Sequence, residues 1–475
     1  MATTETEGTE IRRTTPLPKL QISLALLIFH AEPVTATVIY PFIPAFVRRT
    51  GITKGDEKKT GYYAGIIESL FFISECLSVF HWGRASDRIG RRPILLLGPL
   101  GLTFAMLAFG LSRTFWQLVL FRCAQGVFNG NIGVVRTFIA EITDDTNIAD
   151  AFTLTSLMWT VGLTIGPAMG GLLSEPAKRW PQIFGNAFFT ENPYFLACAA
   201  ASVFAFTAFV PSFFFLKETL KPHINTNPNR EPSEDDPLLA DQNTSGQQKK
   251  APPSLYTIVT SNPPLRRCLV SHAFHSFTNM SYNVLISLIY STSISNGGFG
   301  LSPYQIGVIL GTFGVSNGIL QLLIWKPMLK RIGPKNMFIL SYTFHIIRVF
   351  LMMLSRIAVA RAGKVDWFVW ALVGIQMAAS TLAATAYTSI STLIIKASPQ
   401  DVLGTVNGIQ QMISSGLRGL APTVASSLFA ASLALDWQLF GSAGGLCRYL
   451  VDVLQIFLIG SGVWYSLRLP QYRLI

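Results

Sequence analysis

Long apolar runs separated by short polar stretches dominate the chain. They fall at about 20–46, 62–81, 93–111, 115–140, 151–174 and 193–216, and again at about 268–291, 303–325, 336–355, 367–395, 402–432 and 443–467. Each approaches the roughly 20 apolar residues that a helix needs to cross a bilayer core of about 30 Å. Backbone groups in lipid must be satisfied within their own segment, so these runs predict helices. The alternating segments of about ten residues that build a membrane barrel are not found. The pattern predicts an all-α membrane protein with twelve transmembrane helices in two six-helix, pseudo-symmetric bundles, 20–216 and 264–467.

The polar stretches divide these bundles. Residues 1–19 read as a disordered cytosolic tail and not as a cleaved signal peptide, and 468–475 as a second cytosolic tail. Residues 217–263 are rich in Pro, Asn, Ser and charge and poor in aromatics. Such a segment buries too little apolar surface to offset its ordering entropy, which predicts a disordered cytosolic linker. Within it, Glu234-Asp235-Asp236-Pro237-Leu238-Leu239 fits the acidic dileucine pattern read by sorting adaptors. Glu234, Leu238 and Leu239 carry that pattern and suggest a vacuolar membrane, with the plasma membrane as the alternative. The sequon Asn243-Thr244-Ser245 is silent if the linker is cytosolic.

Composition agrees with a lipid setting: the 475 residues are 50% hydrophobic and 13% charged, where a soluble chain is about 25% charged. The net charge of +12 does not indicate nucleic acid, because no basic stripe lies away from the apolar runs. Most of the 37 Lys and Arg fall on the side bearing both termini, which predicts cytosolic termini. The loop V-R-R-T-G-I-T-K-G-D-E-K-K-T-G after the first run is discordant. The five cysteines are scattered, without metal or disulfide spacing. The apolar segments hold no nucleophile–base or HExxH pattern, so neither an enzyme nor a cofactor is expected.

The chain repeats itself. Residues 81–92 read H-W-G-R-A-S-D-R-I-G-R-R and residues 324–335 read I-W-K-P-M-L-K-R-I-G-P-K. Trp82 aligns with Trp325, and Arg88-Ile89-Gly90 with Arg331-Ile332-Gly333. Each block joins the second and third runs of its half, as expected for a duplicated six-helix unit. The second copy has Lys330 where Asp87 stands.

Gly83-Arg84-Ala85-Ser86-Asp87-Arg88-Ile89-Gly90-Arg91-Arg92 resembles the loop 2–3 signature of the major facilitator superfamily, with Ala85 in place of the usual Leu. Arg122-Cys123-Ala124-Gln125-Gly126 resembles the family's R-x-x-Q-G motif. Gly162, Gly166, Pro167, Gly170 and Gly171 resemble the G-x-x-x-G-P-x-x-G-G motif of its antiporter branch, and Lys217-Glu218-Thr219-Leu220 its "ETL" ending. Within the superfamily the loop resembles fungal transporters related to plant zinc-induced-facilitator-like proteins and to drug:proton antiporters. The resemblance implies a secondary transporter working by alternating access, with helices 1, 4, 7 and 10 lining the cavity. It also implies gating by Gly83, Asp87, Arg88, Gly90, Arg91 and Arg92, for which Glu141 and Glu218 are candidate partners of Arg88 and Arg91. If the arginines are only topogenic, Asp87 and Gly90 are left without a cause.

Ionisable residues inside a membrane are costly without a partner or a role. Glu32 is read as the leading proton carrier with Arg122 modulating it, against the alternative of a static buried pair. Glu68 and Glu75, seven apart, share one helical face and mark a proton or cation path, a pairing with Arg136, or hydrogen-bonded packing. His30, Gln125, His272, His275, Asn279, Asn283 and Gln376 are candidate cavity residues, although interhelical hydrogen bonding explains such side chains equally well. His272 and His275 lack a third metal ligand. The expectation is proton-coupled antiport of a small organic solute by a monomer, with protons, lipid and possible sorting adaptors as partners. A nutrient symporter and a non-transporting receptor are the alternatives.

Overall fold

The computed structural model describes residues 15–144, 146–220, 259–320, 323, 326–399, 403–440 and 445–472. The tail before residue 15, most of the linker with Glu234, Leu238 and Leu239, and Trp325 lie outside the described residues. Among the described residues twelve helical spans form the fold. In the first half these are α1 (Lys19–Thr37, continued by Ile43–Arg49), α2 (Thr60–Ile89), α3 (Arg91–Gly110), α4 (Phe115–Asn129, continued by Ile132–Glu141), α5 (Ile148–Leu172) and α6 (Phe195–Phe215). The second half holds α7 (Pro263–Ser291), α8 (Pro303–Leu320), α9 (Lys326–Ala362), α10 (Trp367–Ala397), α11 (Leu403–Phe440) and α12 (Leu450–Ser466). Among the described residues, nine helical runs are long and apolar enough to cross a membrane by length and composition. α7 is not one of them, because its interior carries His272, His275, Asn279 and Asn283.

Two spans break for identifiable reasons. α1 stops at Thr37 and resumes at Ile43, and Pro41 and Pro44 remove backbone donors there. α4 is interrupted at Gly130-Asn131, where the indole N–H of Trp82 donates to the Val127 carbonyl at 2.6 Å and supplies a partner at the break.

The sequence repeat is also a backbone repeat. α2 ends at Gly90, at φ 116° and ψ 156°. The long helix α9 carries one non-helical residue, Gly333, at φ 75° and ψ 162°. Positive φ with extended ψ is essentially glycine-only territory, so the shared R-I-G places the one suitable residue at the same joint of each half.

The halves are bound most closely at the end away from the termini. Gly171 of α5 and Gly307 of α8 meet backbone to backbone, and Gly311 and Gly314 lie against Ala168 and Thr164. Thr423 of α11 donates to Ser69 Oγ from its backbone N–H at 3.0 Å and shares a 2.8 Å hydroxyl contact with it. Below these contacts Ala36, Phe71 and Phe72 of the first half form a buried apolar cluster with Met280, Val284 and Ala421 of the second.

Candidate functional site

The basic loop that ran against the charge rule has local partners. Glu57 reaches from the first half and accepts from Ser293 N at 3.0 Å, from Ser293 Oγ and from Asn296 Nδ2 at 2.8 Å. Arg48 lies 3.6 Å from Glu57 and donates to Ser291 Oγ at 2.7 Å. Lys58 caps the Trp437 ring at 3.9 Å, and Arg49 donates to the Thr190 and Glu191 carbonyls. Three cations of this loop, Arg48, Arg49 and Lys58, thus take part in holding one end together. Nothing in the sequence pattern had marked Glu57.

Toward the other end, long side chains bridge the halves. Arg136 donates to Gln411 Oε1 at 3.1 Å, and Arg418 lies 5.1 Å from the Trp159 ring. Arg136 does not pair with Glu68 or Glu75.

Between these levels sit the acids of the first half. Glu68 is 3.4 Å from Arg122, and both are buried. Arg122 also donates to Gln125 Oε1 at 2.8 Å and to the Ala36 carbonyl at 2.9 Å, and stacks over Phe71. Arg122 therefore serves Glu68, and the expected Glu32–Arg122 pair is not formed. Glu32 lies in a crevice with Asn129 and Asn131 between α1, α3 and α4, within electrostatic range of Glu75, Arg136 and Arg418. Glu75 accepts from Asn129 Nδ2 at 3.2 Å. Glu32 Oε2 and Glu68 Oε1 have no hydrogen-bond partner. Depth along each helix was readable from sequence, but which helix face met which was not.

The candidate cavity residues divide. Asn283 lines a small pocket between the halves with Tyr40, Ile43, Glu68 and Ser287. His272 shares a 3.1 Å contact with Ser414 Oγ, and His275 packs on Tyr342 and His345. Gln376 donates to Tyr282 Oη at 2.7 Å and accepts from Tyr290 Oη at 3.3 Å. Asn279 Oδ1 accepts from Arg348 at 3.1 Å. His30 is a correction: its Nδ1 bonds the Met158 carbonyl at 2.7 Å and its ring meets Phe204 edge-on, so it packs α1 against α5 and α6. Gln125, buried beside Arg122, is likewise internal to the first half. Among the described residues no group of three or more His, Cys, Asp or Glu could hold a metal.

At the terminal end, the loop signature folds into a charge cluster. Arg91 bridges Asp87 at 2.6 Å and Glu141 at 2.9 Å and donates to Ser86 Oγ at 2.6 Å. Ser86 in turn donates to the Gly83 carbonyl at 2.8 Å. Glu218 accepts from the backbone N–H groups of Arg91 and Arg92 at 2.8 and 3.0 Å, placing a carboxylate on the N-terminus of α3, where the helix dipole favours it. Partial burial pulls the Glu218 carboxyl upward, but the N–H groups of Leu220, Arg91, Arg92 and Thr219 outweigh it and hold it below its usual range. Arg91 is thus the hub. Arg88, expected as a partner of Glu141 or Glu218, is exposed and carries no ion pair among the described residues. A Cβ on Gly90 would stand 2.5 Å from Glu218 Oε2, a second reason for glycine there.

The small-residue motif of α5 has two neighbours. Gly162, Gly166 and Gly170 press on Pro33 and Thr37 of α1 and on Val38 just past its first segment, whereas Gly171 faces Gly307 of the other half. Pro167 lies inside the span between these contacts and removes a backbone donor there.

Residues 25–422 match the Major Facilitator Superfamily. The chain is 31% identical to the efflux pump azaK of Aspergillus niger, over 88% of this chain and 82% of that one. It is 29% identical to Protein ZINC INDUCED FACILITATOR-LIKE 1 of Arabidopsis thaliana, over 88% and 85%. The crystal structure of a D-xylose–proton symporter superposes with a TM-score of 0.68 at 12% identity, over 96% and 99% of the two chains. Two six-helix halves, the repeated R-I-G joint and these likenesses converge: the chain belongs to the Major Facilitator Superfamily and is a multi-pass membrane transporter, not an enzyme.

Proposed function

We propose that the protein is a proton-coupled antiporter that exports a small organic solute or sequesters it in a vacuole, with both termini cytosolic. Residues 20–216 and 264–467 act as rocking bundles joined by the linker at 217–263. The observation that carries this reading is the set of buried acids in the first half, Glu32, Glu68 and Glu75, two of which keep an unpartnered oxygen. Buried ionisable groups of this kind in a membrane mark ion and proton paths. Glu32 is the leading carrier, and the cations within its range are Arg136 and Arg418. The Asp87–Arg91–Glu141 cluster keeps α2, α3 and α4 moving as one body and is the gating device. The likeness to an efflux pump supports export over uptake.

The test is reconstitution with a pH dye inside the vesicles and a solute screen. Proton movement opposite to solute supports antiport, and movement in the same direction supports uptake. Glu32→Gln should abolish proton-driven flux while sparing solute exchange; driven flux that survives removes Glu32 from the role.

A further inference from the structure

The second half of the molecule is nearly free of acid. Residues 264–475 contain no glutamate, and their aspartates are Asp366, Asp401, Asp436 and Asp452. Asp436 is spent on Arg448, at 3.0 Å, and Asp452 on Arg356. Asp366 caps the N-terminus of α10 by accepting from Val369 N, and Asp401 lies outside the described residues. Yet Arg348 stands in the middle of α9, 4% exposed.

Its surroundings are built for a guanidinium but do not neutralise one. Nη2 meets Asn279 Oδ1 at 3.1 Å and His345 Nδ1 at 2.9 Å. His345 Nε2 is 3.1 Å from the Ala383 carbonyl, so the ring proton sits on Nε2 and Nδ1 offers Arg348 only a lone pair. The Tyr282 ring lies 3.7 Å from the guanidinium carbon. These contacts orient the group through neutral dipoles and a π face. Nε has no partner at all, and among the described residues no carboxylate pairs with Arg348. A buried cation without a counter-charge is expensive. Arg418, the neighbouring cation, differs because Glu32 and Glu75 lie within its electrostatic range. Arg348 donates to Asn279, which stands one helical turn from the pocket residue Asn283 on α7.

We propose that Arg348, oriented by Asn279, His345 and Tyr282, seats an anionic oxygen group of the transported solute, so that the substrate class is an organic acid. Guanidinium and carboxylate match in bidentate geometry. This rests on the transporter reading above, and it assigns the second half a task that the acids of the first half cannot perform.

The experiment measures binding without flux. The full chain in lipid nanodiscs is titrated with benzoate, with benzamide, which has the same ring without the charge, and with sodium chloride, using thermal unfolding as the readout. Benzoate should stabilise in a saturable manner at concentrations about tenfold or more below those needed for benzamide. Arg348→Gln should erase that preference, and Arg348→Lys should weaken benzoate while sparing benzamide. The lysine variant carries the test if the glutamine variant does not fold. Equal binding of benzoate and benzamide overturns the proposal. So does a preference that survives Arg348→Gln, or chloride alone reproducing the whole effect, since the site then holds an inorganic counter-ion. None of these outcomes bears on proton-driven flux, which the Glu32→Gln measurement judges separately.

Discussion

Glu57 offers the sharpest handle on the conformational cycle. Its carboxylate, 22% exposed, accepts three hydrogen bonds from Ser293 and Asn296 in the opposite half and faces Arg48. Hydrogen bonds to a charged group are worth about 1.5 kcal/mol or more each. Partial exposure and screening roughly halve that, leaving about 2 kcal/mol for the set. Removing it with Glu57→Ala should shift the balance between states closed and open at this end by about thirtyfold, since each 1.4 kcal/mol is a factor of ten. Glu57→Gln keeps one acceptor and should give a smaller shift. Spin labels at Ile183 and Leu446, both strongly exposed and on opposite halves, report the separation by pulsed dipolar spectroscopy in a background lacking the native cysteines. The control is Lys59→Ala, whose only ion pair among the described residues, with Asp56 at 3.8 Å, stays within its own loop. If the alanine variant gives the wild-type distance distribution, or Lys59→Ala shifts it equally, the seal does not hold this end closed.

Gly90→Ala should lower thermal stability by about 1–3 kcal/mol, through positive φ and the collision with Glu218; a melting temperature within error of wild type refutes that. Asp452→Asn leaves Arg356 buried and unpaired, with both side chains fully buried in the parent, and should cost about 3–5 kcal/mol on unfolding. The pair Arg356→Met with Asp452→Leu should recover much of that loss. The contribution of Glu218 is tied to its ionised form, whose carboxyl lies below the usual range. It should therefore be complete above the ordinary glutamate value of about 4.3 and fade as pH falls through the lower folded-state value. Melting curves of Glu218→Gln and wild type should differ at neutral pH and converge in acid, and a constant gap would contradict the assignment.

The architecture was legible because lipid enforces it: run length fixes a span, and a duplicated R-I-G marks the joint. The loop signature identified the right charges but not their pairing. Gly90 turns the chain between Asp87 and Arg91, bringing Arg91 under Glu141 and sending Arg88 outward, and no helical spacing anticipates a turn of that kind. Glu32 and Arg122 failed to meet for a different reason. Hydropathy reports depth in the bilayer and says nothing about rotation around the helix axis, so Glu68 on α2 was as eligible a partner and is the one in reach. The Glu57 seal joins residues 236 or more positions apart, beyond any local pattern. Arg348 had one visible sign, the missing glutamates of the second half, which only gains meaning once Arg356 and Arg448 are seen to use the nearby acids.

The proposed rocking of the halves gives the meeting of Gly171 with Gly307 the geometry of a fulcrum. Two peptide backbones in direct contact have no rotamers to re-sort and no knobs to lift out of holes, so tilting one bundle on the other there breaks nothing that must be rebuilt. Interdigitated side chains would instead act as detents, each new setting reached by unpacking the last. In such a rocking cycle the energy that sets the pace would lie in the polar contacts, with Glu57 beside the glycine contact and the long arginine bridges at the opposite end.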